Sequence, residues 1–414
     1  MEGKDDRVIE ISESVKWIGV LDYNIRTFDI VMHTGFGTTY NSYFIDAEKK
    51  AIVELVKEKF SDTYFHKLSS VTNPEKIRYI ILNHTEPDHS GCLEKMLDIA
   101  PSATIVGTGN AIRYLEDMID RPFKSLVVRD GDTLDLGNKT LRFIGAPNLH
   151  WPDTMYTWLE QDKILFTCDS FGAHYCSYEM KDDLTKDYLE SFKYYFNVIL
   201  RPFSRFMIKA IEKIKPLDIE IICPGHGPVL KDNWKKIVDL TESYAGEYVR
   251  IAEGGPKKNV LITFVSAYGY TGKAAGQIAS GINEILDCNV KIADIEHIDT
   301  GELESLVIAS DAILVGSPTI NQNTLLPVYK LFALINPLRD KGKLAGAFGS
   351  YGWSSGASKI ILDNMRNLKL NVFEDNATFK FFPGSSKQEA LREYGRRFAT
   401  IIQENGNKTE NPGS

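Results

Sequence analysis

Four metal-competent side chains fall within six consecutive positions of this chain, directly after an apolar run: His84, Glu86, Asp88 and His89 in the stretch ILNHTEPDHSG, residues 81–91. Imidazoles and carboxylates crowded this closely repel one another or stay unpaired unless a cation joins them. Neutral imidazole nitrogen and carboxylate oxygen are also the donors that zinc and iron take. The stretch therefore demands a scaffold that gathers an ion, and further ligands, at the end of a strand.

Three such ligands stand downstream. His150 lies in NLHWPD at a strand end, Asp169 closes the apolar run KILFTCD, and His226 sits in PGHG, where flanking glycines let the backbone turn tightly. Singly each has a plainer reading: His150 as a structural histidine, Asp169 as a turn or helix cap. Each also falls in a loop that ends an element, where sites are normally built on a rigid scaffold. Seven ligands exceed what one tetrahedral ion needs and suit two, with Asp169 placed to bridge. A bridging carboxylate lowers the repulsion between two cations about 3.5–4 Å apart.

With 414 residues the chain is long for one domain and comfortable for two. At 43% hydrophobic and 25% charged residues, each domain can bury a real core. A net charge of −8 argues against nucleic acid or an anionic membrane as the main partner. No run approaches the roughly 18 apolar residues of a membrane span, and the N-terminal MEGKDDRVIEISESVKWIGV has no secretory core. The five cysteines, Cys92, Cys168, Cys176, Cys223 and Cys288, form no CxxC pair. The expectation is a reducing cytoplasm, without disulfides, a zinc ribbon, an iron–sulfur cluster or a built-in rubredoxin-like iron–thiolate module.

Strand signals cover TTYNSYFI, KIRYIILN, ATIVGT, SLVVRDGDTLDLGN, KTLRFIGAP, NLHWPDTMYTWLE, KILFTCDSFG and IEIICPGHGPVL. Helical spacing covers VELVKEKFSDTYFHKLSSV, GCLEKMLDIAP, residues 185–215 and KKIVDLTESYAGEYVRIAE. The composition then shifts to Gly, Pro and Lys in EGGPKK. This divides the chain into a first domain over 1–252, a linker at 253–258, a second domain over 259–404 and a disordered tail over 405–414. Beyond Asn259 strands and helices alternate, the pattern of a parallel sheet wound on both faces.

The second domain carries its own site. VSAYGYTGKAA follows the first strand and opens a helix, so that Ser266, Tyr268, Gly269, Tyr270, Thr271 and Gly272 offer hydroxyls and backbone N–H groups to a phosphate. The spacing of a P-loop is absent. Two further strand ends bring Ser317, Pro318, Thr319 and Asn321, then Ser350, Tyr351, Gly352 and Trp353. In a flavodoxin-type sheet three such loops meet at the switch point and enclose FMN. Tyr351 and Trp353 are placed to flank its ring.

The first half resembles the metallo-β-lactamase superfamily, whose metal loop usually reads H-x-H-x-D-H and holds two zincs. Here Glu86 replaces the second histidine, which makes the site harder and more anionic and shifts its preference towards iron. Followed by a flavodoxin-like half, the whole chain from Val8 to Ile402 resembles the flavodiiron proteins, or A-type flavoproteins. The fold so implied is α/β: an αββα metallo-β-lactamase-like sandwich, then a doubly wound flavodoxin-like domain. The resemblance implies one iron on His84, Glu86 and His150, a second on Asp88, His89 and His226, and Asp169 between them. Some members of the family leave the histidine at the His89 position uncoordinated.

The activity implied is reduction of O2 to water, of NO to N2O, or of both, with electrons relayed through FMN. The metal ligands do not choose between the two gases. The donor implied is a separate rubredoxin, or reduced coenzyme F420. The assembly implied is a head-to-tail homodimer, or a pair of such dimers, placing the flavin of one subunit beside the irons of the other. Tyr194 and Tyr195 in KYYFNVIL, and His174 in FGAHYCSYEM, are candidates to donate hydrogen bonds or protons in the diiron pocket. In LDYNIRTFD, Asn24 and Arg26 stand where the family often has an acidic residue and Arg, followed shortly by a histidine; here Asp29 ends the stretch and the histidine is missing. Two other readings compete: a dizinc hydrolase fused to a flavodoxin, and a flavin electron carrier without catalysis.

Overall fold

The computed structural model describes residues 6–28, 32–255 and 257–410, so Asp29, Pro256 of the expected linker and residues 411–414 lie outside the described residues. The chain divides into two compact units, Met1–Glu247 and Tyr248–Ser414. The division falls inside the long helix Trp234–Glu253, ahead of the linker expected at 253–258.

The first unit is built on two sheets. One has seven strands in the order Ile9–Glu10, Val15–Trp17, Tyr43–Ile45, Ala51–Val53, Tyr79–Ile81, Thr104–Gly107 and Lys124–Val127. The other has five, Thr133–Asp135, Thr140–Gly145, Met155–Leu159, Ile164–Cys168 and Ile221–Pro224. Alternate residues of each strand face opposite ways, and here both faces are covered. Tyr43, Ile45, Val53 and Ile81 meet Phe143, Leu159, Phe166 and Ile221 between the sheets. Their neighbours Phe44, Ile52 and Ile80 pack outward on Tyr64, Leu68, Met96 and Ile112 of three helices, Ser61–Val71, Leu93–Ile99 and Gly109–Met118. On the far side Ile144, Tyr156, Trp158 and Ile222 pack on Phe192, Tyr195, Met207, Ile211 and Ile237. The layers are αββα, and strands covered on both sides are apolar throughout.

The second unit is a five-stranded parallel sheet ordered Asn289–Asp294, Asn259–Phe264, Ala312–Gly316, Leu344–Tyr351, Asn371–Lys380. The second strand in sequence lies at one edge and the first beside it, the flavodoxin-like order, with a switch point between Asn259–Phe264 and Ala312–Gly316. One apolar core lies on each face of the sheet.

Several elements differ from expectation. The helix expected from Val53 begins only at Ser61, after a 3-10 turn at Glu58–Phe60. Val53 ends a strand instead, and Glu54 takes a left-handed φ of 59° that no helix tolerates. TTYNSYFI is two strands, Thr38–Tyr40 and Tyr43–Ile45, in different sheets. The helix Gly109–Met118 and the edge strand Asn371–Lys380 were not expected. The last helix runs Ser385–Glu410, so the backbone from 405 to 410 is helical where a disordered tail was expected.

That last helix lies unusually close to Tyr270–Ile285. A methyl group on Gly281 would stand 2.0 Å from the carbonyl oxygen of Arg392, and one on Gly395 would stand 2.2 Å from that of Ile278. Alanine at 281 would gain about 0.8–1.0 kcal/mol of helix propensity, but overpacking against rigid backbone costs about 1–3 kcal/mol. Gly281→Ala is expected to lower stability by about 1–2 kcal/mol in equilibrium urea unfolding. Unchanged or raised stability would show that the two helices can part freely.

Candidate metal centre

The strand Tyr79–Ile81 delivers the first ligands. After it the chain runs through His84 and Glu86, and Pro87 starts a single helical turn, Pro87–Ser90, that presents Asp88 and His89. Asp169 follows the strand Ile164–Cys168, where Cys168 has a left-handed φ of 51° that redirects the chain. His226 follows Ile221–Pro224, and the glycine before it is obligatory: a Cβ on Gly225 would lie 2.6 Å from Cε1 of His89. His150 stands in the loop between Thr140–Gly145 and Met155–Leu159.

These seven residues converge as two groups that share Asp169. In the first, Glu86 Oε2 lies 3.1 Å from His84 Nε2 and 3.0 Å from His150 Nε2, and Asp169 Oδ2 lies 3.8 and 3.4 Å from the same nitrogens. In the second, Asp88 Oδ2 lies 3.1 Å from His226 Nε2 and 3.6 Å from His89 Nε2. Asp169 Oδ1 stands 3.6 and 3.1 Å from these. Donors bound to one ion at about 2.0–2.2 Å in a tetrahedral site stand about 3.4 Å apart, which is the spacing in both groups. One oxygen of Asp169 faces each group, as a bridge requires.

The buried polar atoms here are not otherwise satisfied. Asp88 Oδ1, His89 Nε2 and both oxygens of Asp169 make no hydrogen bond. No lysine or arginine pairs with Glu86, Asp88 or Asp169 among the described residues; every ion-pair partner is a histidine. Two buried carboxylates with orphaned oxygens, Asp88 and Asp169, beside half-buried Glu86, call for cations, and the donor set of three carboxylates and four imidazoles fits two irons.

Protons stand where those cations would. Burial alone would push His84 and His150 down, yet Asp153 and Glu86 raise His84 to about 9, and Asp169 and Glu86 raise His150 to about 10. Burial likewise works against ionisation of Glu86 and Asp169, but the neighbouring imidazoles outweigh it and hold both below the usual carboxylate range.

Beyond the seven, the structure supplies partners that sequence reasoning missed. Asp153 Oδ1 lies 3.3 Å from His84 Nδ1, while its Oδ2 accepts from the Thr85 N–H at 2.9 Å and hydroxyl at 2.7 Å. His226 Nδ1 meets the carbonyl of Thr39 at 2.5 Å. Such partners leave Nε2 free for a metal. HWPD did hold a signal, since Asp153 closes the motif that contains His150.

The three expected pocket residues separate. Tyr195 and His174 are buried beside the second group, with ring centroids 6.2 and 5.2 Å from His226, and Phe28 packs on both histidines. Tyr194 is turned away: it is 39% exposed and its hydroxyl accepts from the His33 N–H. Asn24 and Arg26 are exposed.

The second unit holds a cavity of about 280 Å³ at the C-terminal ends of its central strands. Ser266, Tyr268, Tyr270, Pro318, Thr319, Asn321, Ser350, Tyr351, Gly352 and Trp353 line it, with Ala267, Ile320 and Phe381 in addition. Four expected residues do not line it. Gly269 (φ 75°) caps the helix Tyr270–Ile285, and Thr271 and Ser317 are buried in hydrogen bonds. Gly272 leaves room for Phe264. Tyr268 and Trp353 are 81% and 90% exposed, a costly disposition for aromatics unless a flat ring stacks on them. Three loops at a switch point, a helix N-terminus and two standing aromatic plates fit FMN.

Because the raised imidazoles hold protons at neutral pH, a metal must displace them. Iron(II) uptake by the metal-free protein is expected to release protons, and affinity to rise as pH climbs from neutrality towards about 9–10, where His84 and His150 lose theirs. Calorimetry in buffers of different ionisation heat measures this; uptake without proton release would contradict it.

Comparison with known proteins completes the picture. The family model described as ODP family beta lactamase matches residues 38–227, and the flavodoxin model matches 262–395. The chain is 36% identical to the flavo-diiron protein FprA2 of Clostridium acetobutylicum, over 95% of this chain and 99% of that one. It is 32% identical to the nitric oxide reductase of Moorella thermoacetica, over 95% and 98%. Among solved structures, the rubredoxin oxygen:oxidoreductase of Desulfovibrio gigas superposes with a TM-score of 0.68 at 27% identity, covering 96% of this chain and 99% of that one. With its metallo-β-lactamase-like and flavodoxin-like halves, the chain belongs to the flavodiiron, or type A flavoprotein, family.

Proposed function

We propose that this oxidoreductase reduces O2 to water, NO to N2O, or both, at two irons held by His84, Glu86, His150, Asp88, His89, His226 and the shared Asp169. The observation that carries the reading is Asp169, whose two oxygens face two separate donor groups. Iron would supply electrons to a bound diatomic, and FMN in the second unit would replenish them. Glu86 in place of a histidine argues against a dizinc hydrolase, and the intact ligand set argues against a mere electron carrier.

The chain's own residues handle protons. Both reductions consume protons together with electrons, so the pocket needs a donor. Burial, reinforced by Asp169, holds the Tyr195 phenol well above its usual range, so it keeps its proton, and its hydroxyl has no partner. Burial, with His226 beside it, drives His174 down to about 3, so that ring is neutral, with Nδ1 on the Thr38 hydroxyl at 2.9 Å and Nε2 unpartnered. Tyr195 is the proton donor and His174 the hydrogen-bonding wall of the gas pocket. Phe28 keeps that side dry.

No helix among the described residues is long and apolar enough to cross a membrane. We place the protein in the cytoplasm, where its cysteine thiols stay reduced. The exposed Tyr268 and Trp353 leave an apolar rim at the flavin cavity that a second copy would cover, supporting a head-to-tail homodimer. A rubredoxin is the donor best supported, since a similar solved structure is a rubredoxin oxygen:oxidoreductase.

The test is anaerobic reduction of the purified protein, then rapid mixing with O2 and with NO in parallel, together with metal analysis and sedimentation. Fast reoxidation with two irons per chain is expected, and Asp169→Ala should abolish it while FMN stays bound. Two zincs with hydrolytic activity, or undiminished turnover in Asp169→Ala, would overturn the reading; a fully active monomer would overturn the dimer. Tyr195→Phe is expected to slow turnover about 10²-fold at unchanged iron and FMN content; an unchanged rate would remove Tyr195 from the proton path.

A further inference from the structure

The geometry points to Glu54 as a positioning residue: it fixes the ring and tautomer of His89, and so decides whether that histidine serves as a metal ligand. The inference rests on the two-metal reading above. An imidazole that binds a metal through one nitrogen must carry its proton on the other, and a buried N–H needs an acceptor. His84 has Asp153 for this, and His226 has the Thr39 carbonyl. For His89, two atoms face Nδ1: Glu54 Oε2 at 3.5 Å and Cys168 Sγ at 3.8 Å. A carboxylate accepts about twice as strongly as a neutral group, and a thiol accepts weakly, so Glu54 governs.

Everything else about Glu54 is already committed. It is 1% exposed and follows the strand Ala51–Val53 with a left-handed φ of 59°. Such a conformation persists only where the surroundings over-determine it. Its N–H donates to the Ile81 carbonyl at 2.9 Å, and its own carbonyl accepts from the Ser42 hydroxyl at 2.7 Å. Oε1 accepts from the Asn83 N–H at 2.9 Å, and the next residue, Leu55, donates its N–H to the His89 carbonyl at 2.9 Å. Only Oε2 is left, buried, without a hydrogen bond, and aimed at His89. Asp153 and Glu54 are counterparts: each ties a backbone N–H flanking His84 to the rear nitrogen of one imidazole, one for each metal group.

Glu54→Gln separates positioning from mere support. Glutamine keeps the oxygen that holds Asn83 but turns an amide N–H towards His89 Nδ1. Two donors then face each other, and His89 must move its proton to Nε2 or rotate away. The experiment compares wild type and E54Q, each loaded with iron-57, by metal analysis, Mössbauer spectroscopy and thermal melting of the metal-free forms. The expected result is an equal melt, a 10- to 100-fold weaker second metal, and loss or displacement of one of the two quadrupole doublets. Wild-type iron content and both doublets unchanged in E54Q would overturn the inference. A wild type that takes up no iron would instead sink the two-iron reading, and the same comparison is then made with zinc. If E54Q does not fold, proton–nitrogen NMR of the zinc-loaded wild type decides: a protected, downfield Nδ1–H on His89, assigned against His89→Asn, is expected, and an unprotonated Nδ1 would overturn the inference.

Discussion

The first unit is arranged around a cluster of carboxylates and imidazoles. Glu86, Asp88 and Asp169 lie among four imidazoles, with no lysine or arginine among the described residues paired to them. In an apolar interior that arrangement is unfavourable unless cations join it, so the scaffold must bring every ligand to the same place and keep it there. It does so by ending elements at one end of the sandwich. The loop and helical turn after Tyr79–Ile81 supply four residues. The ends of Ile164–Cys168 and Ile221–Pro224 supply two more, and the loop ahead of Met155–Leu159 supplies His150. The packed strands give rigidity, and the left-handed turns at Glu54, Cys168 and Gly227 aim the chain.

The second unit solves a different problem with the opposite economy. Its site uses few ionised groups and much backbone: a glycine-started helix, three strand-end loops and two aromatic plates left in solvent. One unit stores charge and the other stores flat surface, as metal ions and a flavin respectively require.

The cluster of metal-competent side chains was legible in the sequence because part of it is locally dense: four such residues within six positions, 84–89, are hard to explain otherwise. The flavin loops were legible through their order after successive strands. Glu54 was not, because nothing near it in the chain marks it; its role comes from strand pairing that sets Ala51–Val53 beside Tyr79–Ile81. The same strand end was read as the start of a helix, since Val53, Val56 and Phe60 mimic helical spacing. The helix Gly109–Met118 did leave signs, with Thr108 capping it through the Ala111 N–H and Ile112 and Leu115 on one face. Asn371–Lys380 is polar because it is an edge strand, half in solvent, and so it lacks the apolar run that revealed its neighbours. Tyr194 and Tyr195 are adjacent, and only the helix phase decides which one faces the ligands.

Because the ligands come from both sheets, the metal centre is also a clasp. His84, Glu86, Asp88 and His89 extend from the seven-stranded sheet, and Asp169 and His226 from the five-stranded one. Along the rest of the sandwich side-chain packing joins the sheets, helped by contacts such as the Tyr43 hydroxyl donating to the Pro224 carbonyl and the Lys49 N–H to the Leu136 carbonyl. At this end bound metals add coordination across the seam, so part of their binding free energy becomes resistance to the sheets separating. Without metal, protonated imidazoles stand in for the cations there, a weaker tie than coordination, and this end is where the layers would first open. Local opening would thus track metal occupancy, and a chain that had lost its irons would present its ligand end first to a chaperone or a protease.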